Sequence, residues 1–179
     1  MSLLAEEIVE EWLNRQGYFT IRGIKIGVNE IDILAIKPIK GEETECRHFE
    51  VQCSMRPVGY ISSVPKNIQK STGRASGSAK ARSNEELIIA VQEWVEKKFK
   101  RKEKTDLMNR LCSSKWSKEL IINVVSSDTE IEIIKEQGIK IHKLHNIISD
   151  LKQNVGIVKS ASGSDLTELI MMGVRANLT

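Results

Sequence analysis

Asn29-Glu30-Ile31-Asp32-Ile33-Leu34-Ala35 and His48-Phe49-Glu50-Val51-Gln52-Cys53 are two short β-rich runs, each setting acids among apolar residues. Strand side chains alternate, so Glu50 and Gln52 share one face. A carboxylate in a strand that otherwise reads as buried costs free energy unless it is paired or binds a metal. If the two runs are neighbours in a hairpin, Asp32 and Glu50 are brought together. Two facing carboxylates repel, and without a cation one of them is forced toward its protonated form. A Mg²⁺ ion resolves that repulsion, and it prefers a few carboxylates completed by waters and phosphate oxygens.

Working outward, residues 3–16 read as an amphipathic helix, with Leu4, Ala5, Ile8, Val9, Trp12 and Leu13 on one face. Glu6 sits at the rim of that stripe, where a helix packed on the sheet leans a carboxylate toward the acids; Glu7, Glu10 and Glu11 are its competitors on the wheel. Gly17 ends the helix. Tyr18–Ile26 reads as a strand, Gly27-Val28-Asn29 as a turn, Glu30–Ile36 as a second strand and Arg47–Cys53 as a third. The three form an antiparallel meander. A polar Ser/Gly/Lys-rich stretch, 54–84, follows. It is too long for an idle loop, and part of it is expected to be mobile until it meets a ligand. Beyond it come a helix over about 85–100 with stripe Ile88, Val91, Val95 and Phe99, a strand at Leu120–Val125, a helix at Thr129–Gln137, a strand at Ile139–Leu144 and a helix over about 146–154. The expected order is α-β-β-β-α-β-α-β-α, an α/β fold with a mixed sheet and helices on both faces. Residues 1–155 form the domain; 156–179 are a tail with a helix expected at 165–175.

The charge is unevenly placed. The net charge is only +3, yet the stretch between Glu50 and Glu85 contains no acid and carries Arg56, Lys66, Lys70, Arg74, Lys80 and Arg82. A second basic cluster runs from Lys97 to Lys104, broken by Glu103. Two such segments on a nearly neutral chain suggest a side that faces a polyanion. At 4% aromatic residues, the core must be aliphatic. No apolar run is long enough for a membrane span, and the N-terminal residues carry no signal-peptide pattern. Cys46, Cys53 and Cys112 lack C-x-x-C spacing, so reduced thiols in a cytoplasmic protein are expected. Gly73-Arg74-Ala75-Ser76-Gly77 has neither the preceding strand nor the Gly-Lys-Ser/Thr of a P-loop. His142 and His145 read as ordinary histidines, and Trp94 and Trp116 as packing residues. His48 shares the Glu50 face.

These residues resemble the PD-(D/E)XK nuclease superfamily, of restriction-endonuclease-like core α-β-β-β-α-β, and within it small Holliday-junction-resolvase-like proteins. The resemblance lies in Glu6 followed by Trp12-Leu13 and Gly17-Tyr18, in Asn29–Ala35, and in Phe49-Glu50-Val51-Gln52. It covers residues 3–54 by motif and reaches about 150 by element order. It implies Mg²⁺-dependent (or Mn²⁺-dependent) hydrolysis of DNA, with Asp32, Glu50 and the Val51 carbonyl as metal ligands and Glu6 completing the shell through a water or holding a neighbouring group. The basic stretch Arg56–Arg82 would then grip the phosphate backbone, and a homodimer is one expected assembly. One departure stands out: the family lysine is Gln52 here. Gln orients a water by hydrogen bonding but carries no charge, and Lys66 or Lys70 is a candidate to compensate. A catalytically inactive nucleic-acid-binding module is the alternative. A third reading is an interaction subunit that docks through Leu169-Ile170-Met171-Met172.

Overall fold

The computed structural model describes residues 2–54 and 56–153. The elements are α1 (Ser2–Arg15), β1 (Phe19–Ile26), β2 (Asn29–Lys37), β3 (Glu45–Gln52), α2 (Lys66–Thr72), α3 (Asn84–Phe99), α4 (Lys102–Leu111), β4 (Trp116–Ile122), α5 (Asp128–Glu136), β5 (Ile139–Lys143) and α6 (Leu144–Gln153). The five strands lie in chain order. β1, β2 and β3 pair antiparallel, whereas β3, β4 and β5 pair parallel. The antiparallel half needs only tight connections, one of them turning at Gly27 with φ +57. The parallel half requires helical crossovers. This mixed sheet and the helix–strands–helix order are those of a restriction-endonuclease-like α/β core.

Alternation along the strands sorts the core into two faces. Ile33, Ala35, Phe49, Val51 and Ile121 pack with Ala5, Ile8, Val9 and Leu13 of α1 and with Ile147 and Leu151 of α6. Leu120 and Ile122, of opposite parity to Ile121, pack with Leu87, Val91, Trp94 and Val95 of α3 and with Ile133 and Ile134 of α5. A third cluster joins Ile31 and Leu34 of β2 to Met108 of α4. Burial at about 25 cal/mol per Å² of apolar surface holds these layers together.

Several expectations are corrected. The charged run after Phe99 forms α4, an additional helix. In α3 it is Leu87 that is buried, whereas Ile88 is 37% exposed. The fourth strand spans Trp116–Ile122 rather than Leu120–Val125, and Val125 instead bridges to Val58. The 54–84 stretch contains α2 and folds back on the body. Buried Glu130 accepts the Ile61 and Ser62 backbone N–H groups at 2.6 and 2.9 Å and the Ser62 hydroxyl. The three thiols are free. Among the described residues no helix is long and apolar enough to cross a membrane. The tail helix and its docking patch lie outside the described residues.

A buried ion cluster ties the layers to the sheet. Arg47 of β3 donates through Nε and Nη2 to the two oxygens of Glu119 on β4, at 2.7 and 2.6 Å. His142 of β5 and the Ser117 hydroxyl each approach Glu119 to 2.6 Å. The guanidinium also lies over the Trp12, Tyr18 and Phe49 rings. Burial alone would raise the pKa of Glu119, but these donors hold it well below the usual carboxylate range. Removing one partner of a buried pair strands the other, so Glu119→Ala is expected to lower unfolding free energy by about 3–5 kcal/mol in a denaturant titration.

Candidate active site

The site forms where β2 parts from β3. Their ladder runs from Lys37↔Glu45 to Ile33↔Phe49. One step further in the same register, Asp32 stands opposite Glu50. There the Asp32 carboxylate itself takes up a main-chain donor: Oδ2 accepts the Val51 N–H at 2.7 Å. Residues opposed in an antiparallel pair present their side chains to one face, so the two acids share the face covered by α3 and α4.

Glu50 is fully buried. Its Oε2 receives Lys98 Nζ at 2.5 Å and its Oε1 receives Lys104 Nζ at 2.8 Å. His48 Nε2 stands 3.3 Å from Oε1. Lys104, itself 1% exposed, also donates to the Lys98 carbonyl at 2.8 Å, closing the α3–α4 corner onto the carboxylate. Burial works against the Glu50 charge, but His48, Lys98 and Lys104 overcome it and hold the pKa at about 2. Asp32 has the opposite fate. Burial and then the Glu50 charge push its pKa up to about 7, against the pull of Lys98 and the Val51 N–H, and Glu6 adds to the rise. The Lys98 ammonium is disfavoured by burial but held charged by Glu50 and Asp32, its pKa rising overall.

A pocket of about 610 Å³ opens here, lined by Glu6, Arg22, Glu30, Asp32, Val51 and Lys98 among others. Glu6, 7% exposed, comes from α1 on one face of the sheet, and Lys98 from α3 on the other. Of the competitors for the Glu6 role, Glu11 is bound to Arg15 at 2.8 Å, and Glu7 and Glu10 pair with Arg22. Gln52 does not line this pocket. It lines an adjoining groove of about 960 Å³ between α2, α3 and α4, and Lys98 lines both. A separate cleft of about 710 Å³ contains His142 and His145 and shares no lining residue with the acidic pocket.

The residues of the first basic stretch have divided roles. Arg74 is held by Glu86 at 3.2 Å and by the Lys80 carbonyl at 3.0 Å. Arg82 donates to the Ser62 carbonyl at 3.0 Å and stacks on Tyr60, 4.0 Å from the ring centre. Both guanidiniums fasten the 54–84 segment to itself and to α3. Arg56, Lys66, Lys70 and Lys80 are exposed, and no ion pair involves them among the described residues. Lys66 lines the groove.

Sequence reasoning missed Lys98 and Lys104 as partners of Glu50. A signal for Lys98 was present: it continues the buried positions Val91, Trp94 and Val95 at helical spacing, and a lysine on a core stripe needs a buried anion. Lys104 offered none, because α4 itself was not read.

The donor set suits a hard divalent ion. Asp32, Glu50 and a main-chain carbonyl are all oxygen donors, with both Glu50 oxygens already engaged by Lys98 and Lys104. The Asp32 pKa is raised first by burial and second by the Glu50 charge, and a cation would relieve the second. Among the described residues no three His, Cys, Asp or Glu side chains group to hold an ion unaided. An ion bound here would take most of its shell from waters and phosphate oxygens, as Mg²⁺ commonly does.

No family model matches the chain, and no curated protein matches it. Similar solved structures include the following two. One is a protein of unknown function, AF1548, at 14% identity and TM-score 0.42, covering 80% of this chain and 58% of that one. The other is the MspJI restriction endonuclease in complex with a 27-mer oligonucleotide, at 16% identity and TM-score 0.38, covering 97% of this chain and 31% of that one. The present chain thus spans less than two thirds of either, and the site's own geometry carries the functional reading.

The two carboxylates give stability opposite pH dependences. With the Asp32 pKa raised to about 7 from an ordinary 3.8, the folded state keeps a proton that the unfolded chain releases, so stability falls as pH rises through that window. Glu50, depressed to about 2, contributes stability that is lost as pH falls below its ordinary 4.5. Asp32→Asn is therefore expected to be more stable than wild type above pH 7. The difference should shrink toward pH 4 at no more than about 1.4 kcal/mol per pH unit, read from denaturation curves across pH without metal.

Proposed function

We propose that the chain is a divalent-metal-dependent nuclease hydrolysing DNA phosphodiester bonds. The observation that carries this reading is the opposition of Asp32 and the fully buried Glu50 at the strand divergence, with Glu6 and Lys98 brought from opposite layers to the pocket that Asp32 lines. Asp32, Glu50 and the Val51 carbonyl would hold Mg²⁺ or Mn²⁺. When bound, such an ion supplies positive charge against the phosphate and acidifies a water. Asp32 would enter this role ionised, since a cation offsets both the burial and the Glu50 repulsion that now favour its proton. Lys98 supplies the fixed charge that Gln52 cannot: its ammonium faces the pocket and stands beside Glu50, placed to stabilise a phosphate oxygen as charge develops. Gln52, on the groove side, orients a water or a phosphate by hydrogen bonding. Glu6 accepts from a water at the pocket wall.

A second reading has its own support. Both Glu50 oxygens are engaged by lysines, an arrangement that also suits a DNA-binding module without turnover.

The deciding experiment incubates wild type and Asp32→Ala with duplex, junction and single-stranded DNA in Mg²⁺ or Mn²⁺. Cleavage that needs the metal and disappears in Asp32→Ala is expected; DNA binding with no cleavage under either metal favours the second reading. Lys98→Met is expected to lower cleavage by about 10²-fold or more while DNA affinity stays within a few-fold of wild type. Lys104 and His48 still hold Glu50 in that variant, so the fold should survive, as checked by circular dichroism.

A further inference from the structure

The groove beside the acidic pocket carries more positive charge than its own acids neutralise. Six cations line it: Lys66 from α2, Lys97 and Lys98 from α3, and Lys100, Arg101 and Lys102 at the turn into α4. Lys98 is taken by Glu50, Lys100 by Glu96 at 2.8 Å and Lys102 by Asp106 at 2.8 Å. Lys66, Lys97 and Arg101 are exposed and make no ion pair among the described residues. The groove is also lined by Gln52, Ser63, Gln69 and Ser76, which offer neutral hydrogen bonds. None of the exposed large apolar side chains lines it, so it lacks the greasy rim of a lipid-facing surface.

We propose that the α3–α4 corner, with Lys97 and Arg101 at its centre and Lys66 facing it from α2, is the track for a DNA phosphodiester backbone, and that Lys98 joins this track to the acidic pocket. This rests on the nuclease reading and adds to it which basic residues hold the substrate. Lys98 is the physical link, being the side chain that lines both spaces. A polyanion lying along the corner ends at the carboxylate pair, where only a phosphodiester polymer has a bond to present. The assignment moves the main grip from the Arg56–Arg82 stretch, where Arg74 and Arg82 serve the fold, to the second basic cluster. It predicts strongly salt-dependent binding, because each phosphate contact releases counterions.

The test measures anisotropy of a labelled short DNA duplex against the full chain, in EDTA so that no cleavage intrudes, from low to physiological salt. Lys97→Ala/Arg101→Ala should weaken binding by about 10-fold and lower the log–log salt slope by about 2. Lys66→Ala/Lys97→Ala, spread over two helices, should do the same and guards against misfolding of the first variant. Lys115→Ala/Lys140→Ala, which removes equal charge outside the groove, should leave the slope unchanged. A wild-type slope in both groove variants, an equal loss in the control pair, or no binding by wild type would overturn the proposal. Failure of catalysis reads differently: a chain that never cleaves but shows these slope changes keeps the track and loses the nuclease reading. A chain that cleaves with the slope unmoved keeps the nuclease reading and loses the track.

Discussion

A buried carboxylate held by two lysines organises the α3–α4 corner of this protein and the candidate site beside it. Glu50 could not remain ionised at full burial without Lys98, Lys104 and His48. The lysines come from different helices, and Lys104 also caps the Lys98 carbonyl. One anion therefore fixes the α3–α4 corner against β3. It also contributes to the field at Asp32, whose proton is retained toward neutrality first by burial and then by the facing Glu50 charge. Two acids one register step beyond a β ladder thus acquire opposite protonation tendencies. Such a split is common at sites that do acid–base or metal chemistry.

The strand divergence makes this possible. A continuous β2–β3 ladder would pair the main chain here and leave no gap between the strands. By spending its carboxylate on the Val51 N–H, Asp32 replaces a ladder bond and opens a gap through which α1 on one face and α3 on the other reach the same pocket. The opposite face of the sheet is held by the Arg47–Glu119–His142 cluster, which lies under α1. The site's electrostatic strain is therefore borne on a frame that does not share its charges.

Much of this was legible in local patterning. Period-two alternation located β2 and β3 within one or two residues, and the apolar spacing of α1 singled out the rim position of Glu6. These are short-range signals that burial on one face forces into the sequence. The α4 helix was not legible, because Lys102–Leu111 is mostly charged and buries only Lys104 and Met108. Its reason for existing is an anion 54 residues earlier in the chain. The partners of Arg74 and Arg82 were hidden for a related reason: a guanidinium that organises a loop and one that grips a phosphate look alike in sequence, and here both have partners within the fold. Gln52 read as a lost lysine. Lys98, arriving from α3, supplies a charge near that position by a route that only the tertiary fold reveals.

The most direct test of the central claim is anomalous diffraction at the manganese edge from crystals grown with Mn²⁺ and a DNA duplex. The account predicts an ion bonded to an Asp32 oxygen, in the pocket between Glu6 and Lys98, with a phosphate oxygen in its shell. Crystals containing DNA in which Asp32 carries no ion, or in which manganese sits only in the His142–His145 cleft, would contradict it.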